Sequence, residues 1–321
     1  MKGLEKIKKI DLAYKPTPLY KLNNISLITG KNIFVKRDDM TGIGLGGNKV
    51  RKLEYLLADA IKCGADTIIT TGAAQSNHAM LTAACCRKLG LDVILVLLKR
   101  GVTEKKGNLL LNDLMGVEVV FVDSDRTQDL YAEINRISDQ LKAAGKTPYT
   151  IPIGASVPLG VLGYVDCVKE MIEQSRDQDI KIDHIVCCTG SGGTYAGLLL
   201  GAKLFKPEIK VTGIAVTLDD FYPVVKELVN QSCDLIKAGP ISIEDDIHLF
   251  NYAGDGYAIP SERGNAAINL MARNEGLFLD PVYTGKTFGG LLDLIDDGYF
   301  EEDENIVFLH TGGAASIFAF M

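Results

Sequence analysis

The chain has 321 residues, 47% of them apolar and 23% charged, so it can bury a sizeable core and is not a disordered polymer. At ~100–200 residues per domain it is long enough for two domains. Its 34 basic against 41 acidic residues give a net charge of −7 with no basic stripe or tail, which argues against nucleic acid or an anionic membrane surface as a partner.

Short β-branched runs alternate with amphipathic stretches. The expected strands are residues 33–36, 67–70, 93–98, 117–122, 149–152, 184–188, 211–216 and 306–309. The first expected helix carries Leu53, Leu56, Leu57, Ala60 and Ile61 on one face, with Gly64 as its C-cap. Further helices are expected at 78–89, 129–144, 162–173, 195–205, 266–274 and 288–296. Strands alternating with helices predict βαβ units and an α/β fold of mostly parallel sheets. No Pro/Gly/Ser linker divides the chain. Two domains would therefore be interleaved, with 50–159 as a small α/β unit inserted between 1–49 and 160–321.

Parallel sheets bind ligands at the carboxyl ends of their strands. Glycine-rich loops stand at three such places: 71–77, 189–194 and 310–313. The seven cysteines (Cys63, Cys85, Cys86, Cys167, Cys187, Cys188 and Cys233) are odd in number and contain no C-x-x-C. That argues against a disulfide framework or a zinc site and for a cytoplasmic location. His78, His184, His248 and His310 share no ligand spacing, so no metal is expected. The N-terminus lacks an apolar signal region, and the apolar run 93–98 is far short of the ~18 residues that a membrane span needs.

The strongest single feature is Thr189-Gly190-Ser191-Gly192-Gly193-Thr194, set between a strand and a helix. Glycines let successive N–H groups point inward, and the helix N-terminus adds partial positive charge, so this is a phosphate cradle. A plain strand-to-helix turn would not need six consecutive small or hydroxylic residues. A dinucleotide is disfavoured, because Tyr195 stands where G-x-G-x-x-G needs its third glycine. ATP is disfavoured by the lack of a G-x-x-x-x-G-K-[ST] match. A monophosphate cofactor fits better. A second loop, residues 44–48, ends at Lys49, at the start of a helix. The positive end of that helix would depress the amine's pKa and make it a better nucleophile, which suits a Schiff-base lysine for pyridoxal phosphate. Taken alone, Lys49 reads first as a solvated surface lysine, the usual fate of that residue.

Residues 46–54, Gly-Gly-Asn-Lys-Val-Arg-Lys-Leu-Glu, resemble the lysine motif of the D-cysteine desulfhydrase and 1-aminocyclopropane-1-carboxylate deaminase family. The resemblance continues through Lys36-Arg37-Asp38-Asp39, Gln75-Ser76-Asn77-His78, 160–164, the phosphate loop, 256–262, 280–286 and 310–313, in the same order across nearly the whole chain. It implies a tryptophan-synthase-β-like fold: two interleaved, open, twisted, mostly parallel sheets flanked by helices. It also implies pyridoxal 5'-phosphate as cofactor, a small amino-acid substrate and a homodimer.

By the same resemblance, Lys49 binds the cofactor covalently and carries the Cα proton, with Lys52 as its rival. Asn48 belongs to the loop that positions the cofactor, and Asn77 donates to the cofactor's ring hydroxyl. Ser76 and the N–H groups after it receive the substrate carboxylate, and Ser76 is also a good N-cap. Thr189, Gly190, Ser191, Gly192, Gly193 and Thr194 hold the phosphate. Tyr257 and Tyr283 match two active-site tyrosines, and Thr284 faces the pyridine nitrogen.

At the position of Thr284 the deaminase branch carries Glu, which keeps the ring protonated, whereas the desulfhydrase branch carries a neutral Thr. The expected reaction is therefore α,β-elimination, from D-cysteine to pyruvate, sulfide and ammonia. The alternatives are the cyclopropane deaminase and an L-cysteate sulfo-lyase. From other classes they are a Rossmann-type dinucleotide oxidoreductase and a non-catalytic binder of pyridoxal phosphate. Two departures from the family pattern, Met80 in place of Arg and Ala155-Ser156-Val157 in place of Gly-Ser-Asn, make the region beside the carboxylate loop less polar and bear on the substrate. Asp38 and Asp39, flanked by Lys36 and Arg37, are expected to form structural ion pairs, and Cys187 and Cys188 to be buried packing.

Overall fold

In chain order the computed structural model, which describes residues 3–124 and 126–321, runs β1 (Leu19–Lys21), α1 (Asn23–Thr29), β2 (Asn32–Arg37), α2 (Lys49–Lys62), β3 (Thr67–Ala73), α3 (Asn77–Leu89) and β4 (Asp92–Leu98). It continues with α4 (Gly107–Leu114), β5 (Glu118–Val122), α5 (Thr127–Ala143), β6 (Pro148–Ile151), α6 (Pro158–Asp177), β7 (His184–Thr189) and α7 (Gly193–Phe205). Then follow β8 (Lys210–Ala215), α8 (Tyr222–Ile236), β9 (His248–Asn251), α9 (Glu262–Glu275), α10 (Thr284–Asp296), β10 (Asn305–His310) and α11 (Ile317–Phe320).

Two sheets result, ordered β1-β2-β10-β7-β8-β9 and β5-β4-β3-β6. Neighbouring strands are parallel except β1, which runs antiparallel to β2. The central strands β3 and β7 are buried along their whole length, as sheets covered on both faces require. The four-stranded sheet takes all its strands from 67–151, while the six-stranded sheet is assembled from chain on either side of that segment.

The eight expected strands and seven expected helices are present, with shifted ends. The expectation lacks the three- and four-residue strands β1 and β9 and the helices α1, α4, α8 and α11. Among the described residues no helix is long and apolar enough to cross a membrane.

One buried polar cluster joins the chain's separated parts. The Arg51 guanidinium, on α2, forks onto both oxygens of Asp38 at 2.8 and 2.9 Å and onto both of Glu170, on α6, at 2.9 Å each. Asp38 also accepts from Tyr164 at 2.6 Å and from Thr17 at 2.8 Å. Lys36, on β2, reaches Glu170 at 2.5 Å and the Thr17 carbonyl at 2.7 Å. Burial pushes the Asp38 and Glu170 carboxyls up, but Arg51 and Lys36 beside them reverse this and hold both below their ordinary values. Arg37 pairs with Asp39 at 2.6 Å, as expected, whereas Asp38 pairs across the fold.

Two cations and two anions balance here, so removing one leaves a buried charge without its partner. Arg51→Met should lower the unfolding free energy by ~3–5 kcal/mol in urea titration. A loss below about 1 kcal/mol, the scale of a surface pair, would mean that the cluster does not hold the fold.

Candidate active site

The lysine loop is folded tightly against its neighbours. Gly46 has φ +74°, and a Cβ there would come 1.7 Å from the Asp39 carbonyl oxygen, so no side chain fits. The Thr41 hydroxyl accepts from the Gly47 N–H at 2.8 Å and donates to the Gly47 carbonyl at 3.1 Å. The Asn48 N–H donates to the Thr311 carbonyl at 3.1 Å. This delivers Lys49, the first residue of α2, half-buried into a cavity of about 400 Å³. Burial lowers its ammonium pKa to about 8. The Asn48 side chain also lines the cavity, and its Nδ2 donates to Thr194 Oγ1 at 3.1 Å, tying the lysine loop to the phosphate loop.

Gly190, Ser191, Gly192 and Thr194 lie in the cavity wall. Gly192 takes φ +77°, which turns the chain from β7 into α7. Thr189 and Gly193 are not in the wall. Thr189 is the last residue of β7, and its hydroxyl faces β8, where a Cβ on Gly213 would meet it at 2.7 Å. Gly193 opens α7 with its N–H on the Ser191 carbonyl, and a Cβ there would strike Ser156 Oγ at 2.6 Å and Lys52 Nζ at 2.9 Å. Its role in the cradle is close packing. Lys52 is fully buried, not a surface lysine, and its ammonium donates to the Gly154 carbonyl at 3.2 Å. Burial and nearby Lys49 push its pKa far down.

Ser76 and Asn77 also line the cavity. Ser76 caps α3 by accepting from the Ala79 N–H at 3.2 Å, so the capping role holds alongside its place in the wall. Asn77 Oδ1 accepts from Asn108 Nδ2 at 2.7 Å.

Across the cavity, the Tyr257 and Tyr283 hydroxyls share a 2.5 Å hydrogen bond, with ring centroids 5.9 Å apart. Burial pushes the Tyr257 phenol up to about 12 and that of Tyr283 well above its ordinary value, so both stay protonated. Lys286 holds the Tyr257 loop by donating to the Ala253 and Gly256 carbonyls at 2.5 and 2.9 Å.

Thr284 is placed differently from expectation. It is fully buried and outside the cavity wall. Its hydroxyl donates to Asp280 Oδ1 and accepts from the Asp280 N–H, each at 2.7 Å. Asp280 also accepts the N–H groups of Val282, Tyr283 and Thr284 at 2.8–2.9 Å, so its carboxylate is spent on the turn into α10.

Neither departure from the family pattern reaches the cavity. Met80 packs under the lysine loop, its sulfur 3.3 Å from where a Gly44 Cβ would sit, and Val157 packs on the core around α2 and α3. Cys187 is core, as expected, but Cys188 lies in the wall. Sequence reasoning missed Arg100, Thr127, Tyr131, Leu218 and Asp219, which line the mouth. They follow β4, β5 and β8. Applying the carboxyl-end rule to every strand, not only to those followed by glycines, would have found these segments.

The residues present fit a phosphate-bearing aldehyde. A half-buried amine, its pKa lowered to about 8, faces a glycine turn at a helix N-terminus. Behind that turn a fully buried lysine has, among the described residues, only a carbonyl as hydrogen-bond partner, a site that an anion would satisfy. Among the described residues no group of His, Cys, Asp and Glu could hold a metal ion.

Comparison with known proteins agrees with this chemistry. A family profile described as "Pyridoxal-phosphate dependent enzyme" matches residues 10–312. A Pyrococcus furiosus protein provisionally named 1-aminocyclopropane-1-carboxylate deaminase is 42% identical over 317 residues, covering 98% of this chain and 94% of its own. The D-cysteine desulfhydrase of Yersinia enterocolitica is 41% identical over 325 residues, covering 99% and 97%. A crystal structure described as an ACC deaminase homologue superposes with a TM-score of 0.92 at 41% identity, covering 99% of this chain and 95% of that one. The chain belongs to the pyridoxal-phosphate dependent enzymes, and within them to the group that holds the D-cysteine desulfhydrases and the deaminase homologues.

Proposed function

We propose that this pyridoxal-phosphate-dependent lyase catalyses α,β-elimination of a β-substituted amino acid, D-cysteine foremost, to pyruvate, ammonia and sulfide. Relatives bearing the two names are equally similar, so overall likeness does not choose between them. The observation that carries the choice is that, among the described residues, no free carboxylate backs the cavity wall beside Tyr283. Thr284 is neutral, and nearby Asp280 is saturated by four donors. A ring nitrogen without an anionic partner holds its proton weakly. That leaves more electron density to expel a β-group and suits the opening of a cyclopropane less.

When bound, the cofactor supplies an aldehyde for the lysine and an electron-withdrawing ring that acidifies Cα. Lys49 holds it and carries the Cα proton. Asn48 fixes the lysine loop against Thr194. The N–H groups of the 190–194 turn grip the phosphate, with Lys52 behind them as counter-charge. The Asn77 amide donates to the ring hydroxyl. Ser76 and the first N–H groups of α3 bind the substrate carboxylate. Since Tyr257 and Tyr283 stay protonated, one phenol donates to the other and the pair retains one proton to give, so they act as donors and not as bases. Thr284 acts through Asp280 and Tyr283.

The chain divides, on this reading, into 1–49 with 160–321 around the cofactor and 50–159 as the smaller unit. It works in the cytoplasm, in keeping with seven free thiols, and pairs with a second copy. Support for pairing comes from adjoining α4 and α11, where Leu114 and Phe318 are 73% and 75% exposed. A monomeric mass by sedimentation would remove the pairing, and recovery outside the cytoplasmic fraction would remove the location.

The purified enzyme should form pyruvate from D-cysteine and β-chloro-D-alanine faster than it forms 2-oxobutyrate from 1-aminocyclopropane-1-carboxylate. Equal rates would replace this reading with the deaminase.

Lys49→Ala should abolish both turnover and the borohydride-fixable link between chain and cofactor. Lys52→Ala should keep the link and weaken cofactor binding. Because burial disfavours the ammonium form, the reactive neutral amine of Lys49 is present above pH about 8 and not only above its ordinary 10.5. Capture of added cofactor by the cofactor-free chain should therefore speed up as pH rises, reaching half its maximum near 8. A borohydride adduct mapped to Lys52 would reverse the assignment.

A further inference from the structure

We propose that Asn108 is a positioning residue that sets which end of the Asn77 amide faces the cofactor. The proposal rests on the reading above that Asn77 donates to the ring hydroxyl. A carboxamide can present either its oxygen or its NH₂ from nearly the same position, so an Asn in a binding wall acts as a reliable donor only if something else fixes its orientation.

The hydrogen bonds supply that constraint. Asn108 is the second residue of α4 and is fully buried. One of its side-chain amide atoms lies 2.9 Å from the Gln75 backbone oxygen, which can only accept, so that atom is the nitrogen. The same nitrogen lies 2.7 Å from the Asn77 side chain, so the Asn77 atom facing it is the oxygen. The Asn77 NH₂ is thereby turned to the other side, where it has no partner among the described residues. Asn77 is itself part of the cavity wall.

Asn108 is held in turn. Its backbone N–H donates to Gln75 Oε1 at 2.8 Å, and Gln75 Nε2 donates to the Val102 and Lys106 carbonyls, each at 3.1 Å. Gly107 has φ +51°, and a Cβ there would lie 2.7 Å from Gln75 Oε1 and 2.9 Å from the Ala315 carbonyl, so the approach needs glycine. The Asn108 side-chain oxygen is buried with no partner, a cost that an apolar residue of similar size would avoid. What the amide contributes against that cost is its NH₂, which makes both of these bonds.

A donor to the ring oxygen stabilises that oxygen's anionic form, so losing it should move the pH midpoint of the bound cofactor's absorbance upward. The experiment titrates the absorbance of the holoenzyme from pH 5 to 10 for the parent, Asn77→Ala, Asn108→Ala, Asn108→Asp and the double variant Asn77→Ala/Asn108→Asp, with melting temperature as the control for folding. Asn77→Ala should raise the midpoint by on the order of one pH unit. In Asn108→Asp the new carboxylate can only accept, so Asn77 turns its NH₂ to it and presents its oxygen to the cofactor. The midpoint should rise at least as far. Asn108→Ala, which merely frees the amide, should give a smaller rise, and it carries the test if the aspartate variant does not fold.

In the double variant the Asn108 change should add nothing, because it acts through Asn77. If it adds its full shift there, or if Asn108→Asp leaves the midpoint in place while Asn77→Ala moves it, the positioning role is overturned and the Asn77 reading stands. No shift in Asn77→Ala would overturn that reading and the inference with it.

Discussion

The fold depends on one guanidinium. Arg51 lies two residues beyond Lys49 on the same helix, and its fork grips Asp38 at the end of β2 and Glu170 on α6. Fully buried charges are tolerable only when paired and hydrogen-bonded, and here both carboxylates and both cations meet several partners. The geometry is therefore steeply defined, since a shift of α2 along its axis would strand charge in the core. That rigidity passes to the start of the helix, so Lys49 emerges at a fixed point in the cavity. The tight lysine loop, with Gly46 against Asp39 and Asn48 against Thr311, allows the helix no other start.

The cavity lies where both sheets end. β3 and β7 run parallel to their neighbours, and the turns after them supply Ser76 and Asn77 from one sheet and Gly190, Ser191, Gly192 and Thr194 from the other. Each turn leads into a helix, so two helix N-termini meet in the space that Lys49 enters. Partial positive charge from both favours a ligand with two anionic groups, as a phosphorylated cofactor joined to an amino acid has. The Asn48 bond to Thr194 and the Ser156 bond to Ser191, at 3.1 and 2.8 Å, close the two sides on one another.

Much of this is legible in the sequence. Parallel strands buried on both faces read as unbroken apolar runs, and the glycine loops mark where backbone must come close. What escapes is informative. β1 and β9 are too short and too partly exposed to show a period. α8 does carry a helical stripe of Val225, Leu228, Val229 and Ile236, with Pro223 at its start, yet no helix is expected there. Within the site, the glycine motif placed Thr189 in the wall and the family resemblance placed Thr284 there. The alternation of a strand turns Thr189 away where Cys188 faces in, and the Asp280 turn captures the Thr284 hydroxyl. Such pairings depend on residues that only the folded chain brings together, as does the burial of Lys52.

Lys49 and Lys52 stand three residues apart on one helix, the first half-buried and the second fully buried, and burial lowers the pKa of both. Two ammonium groups so close in a poorly solvated site repel, and the only hydrogen-bond acceptor for Lys52 among the described residues is the Gly154 carbonyl. In the free chain Lys52, the more buried of the two, loses its proton more readily. An anion seated on the glycine turn in front of Lys52 reverses that order, because it favours the charged form of the group nearest to it. A charged Lys52 in turn disfavours a second positive charge at Lys49. On the proposed roles, phosphate binding and readiness of the nucleophile would be coupled through one turn of helix: a charged Lys52 behind the phosphate would keep Lys49 unprotonated, in the form that attacks.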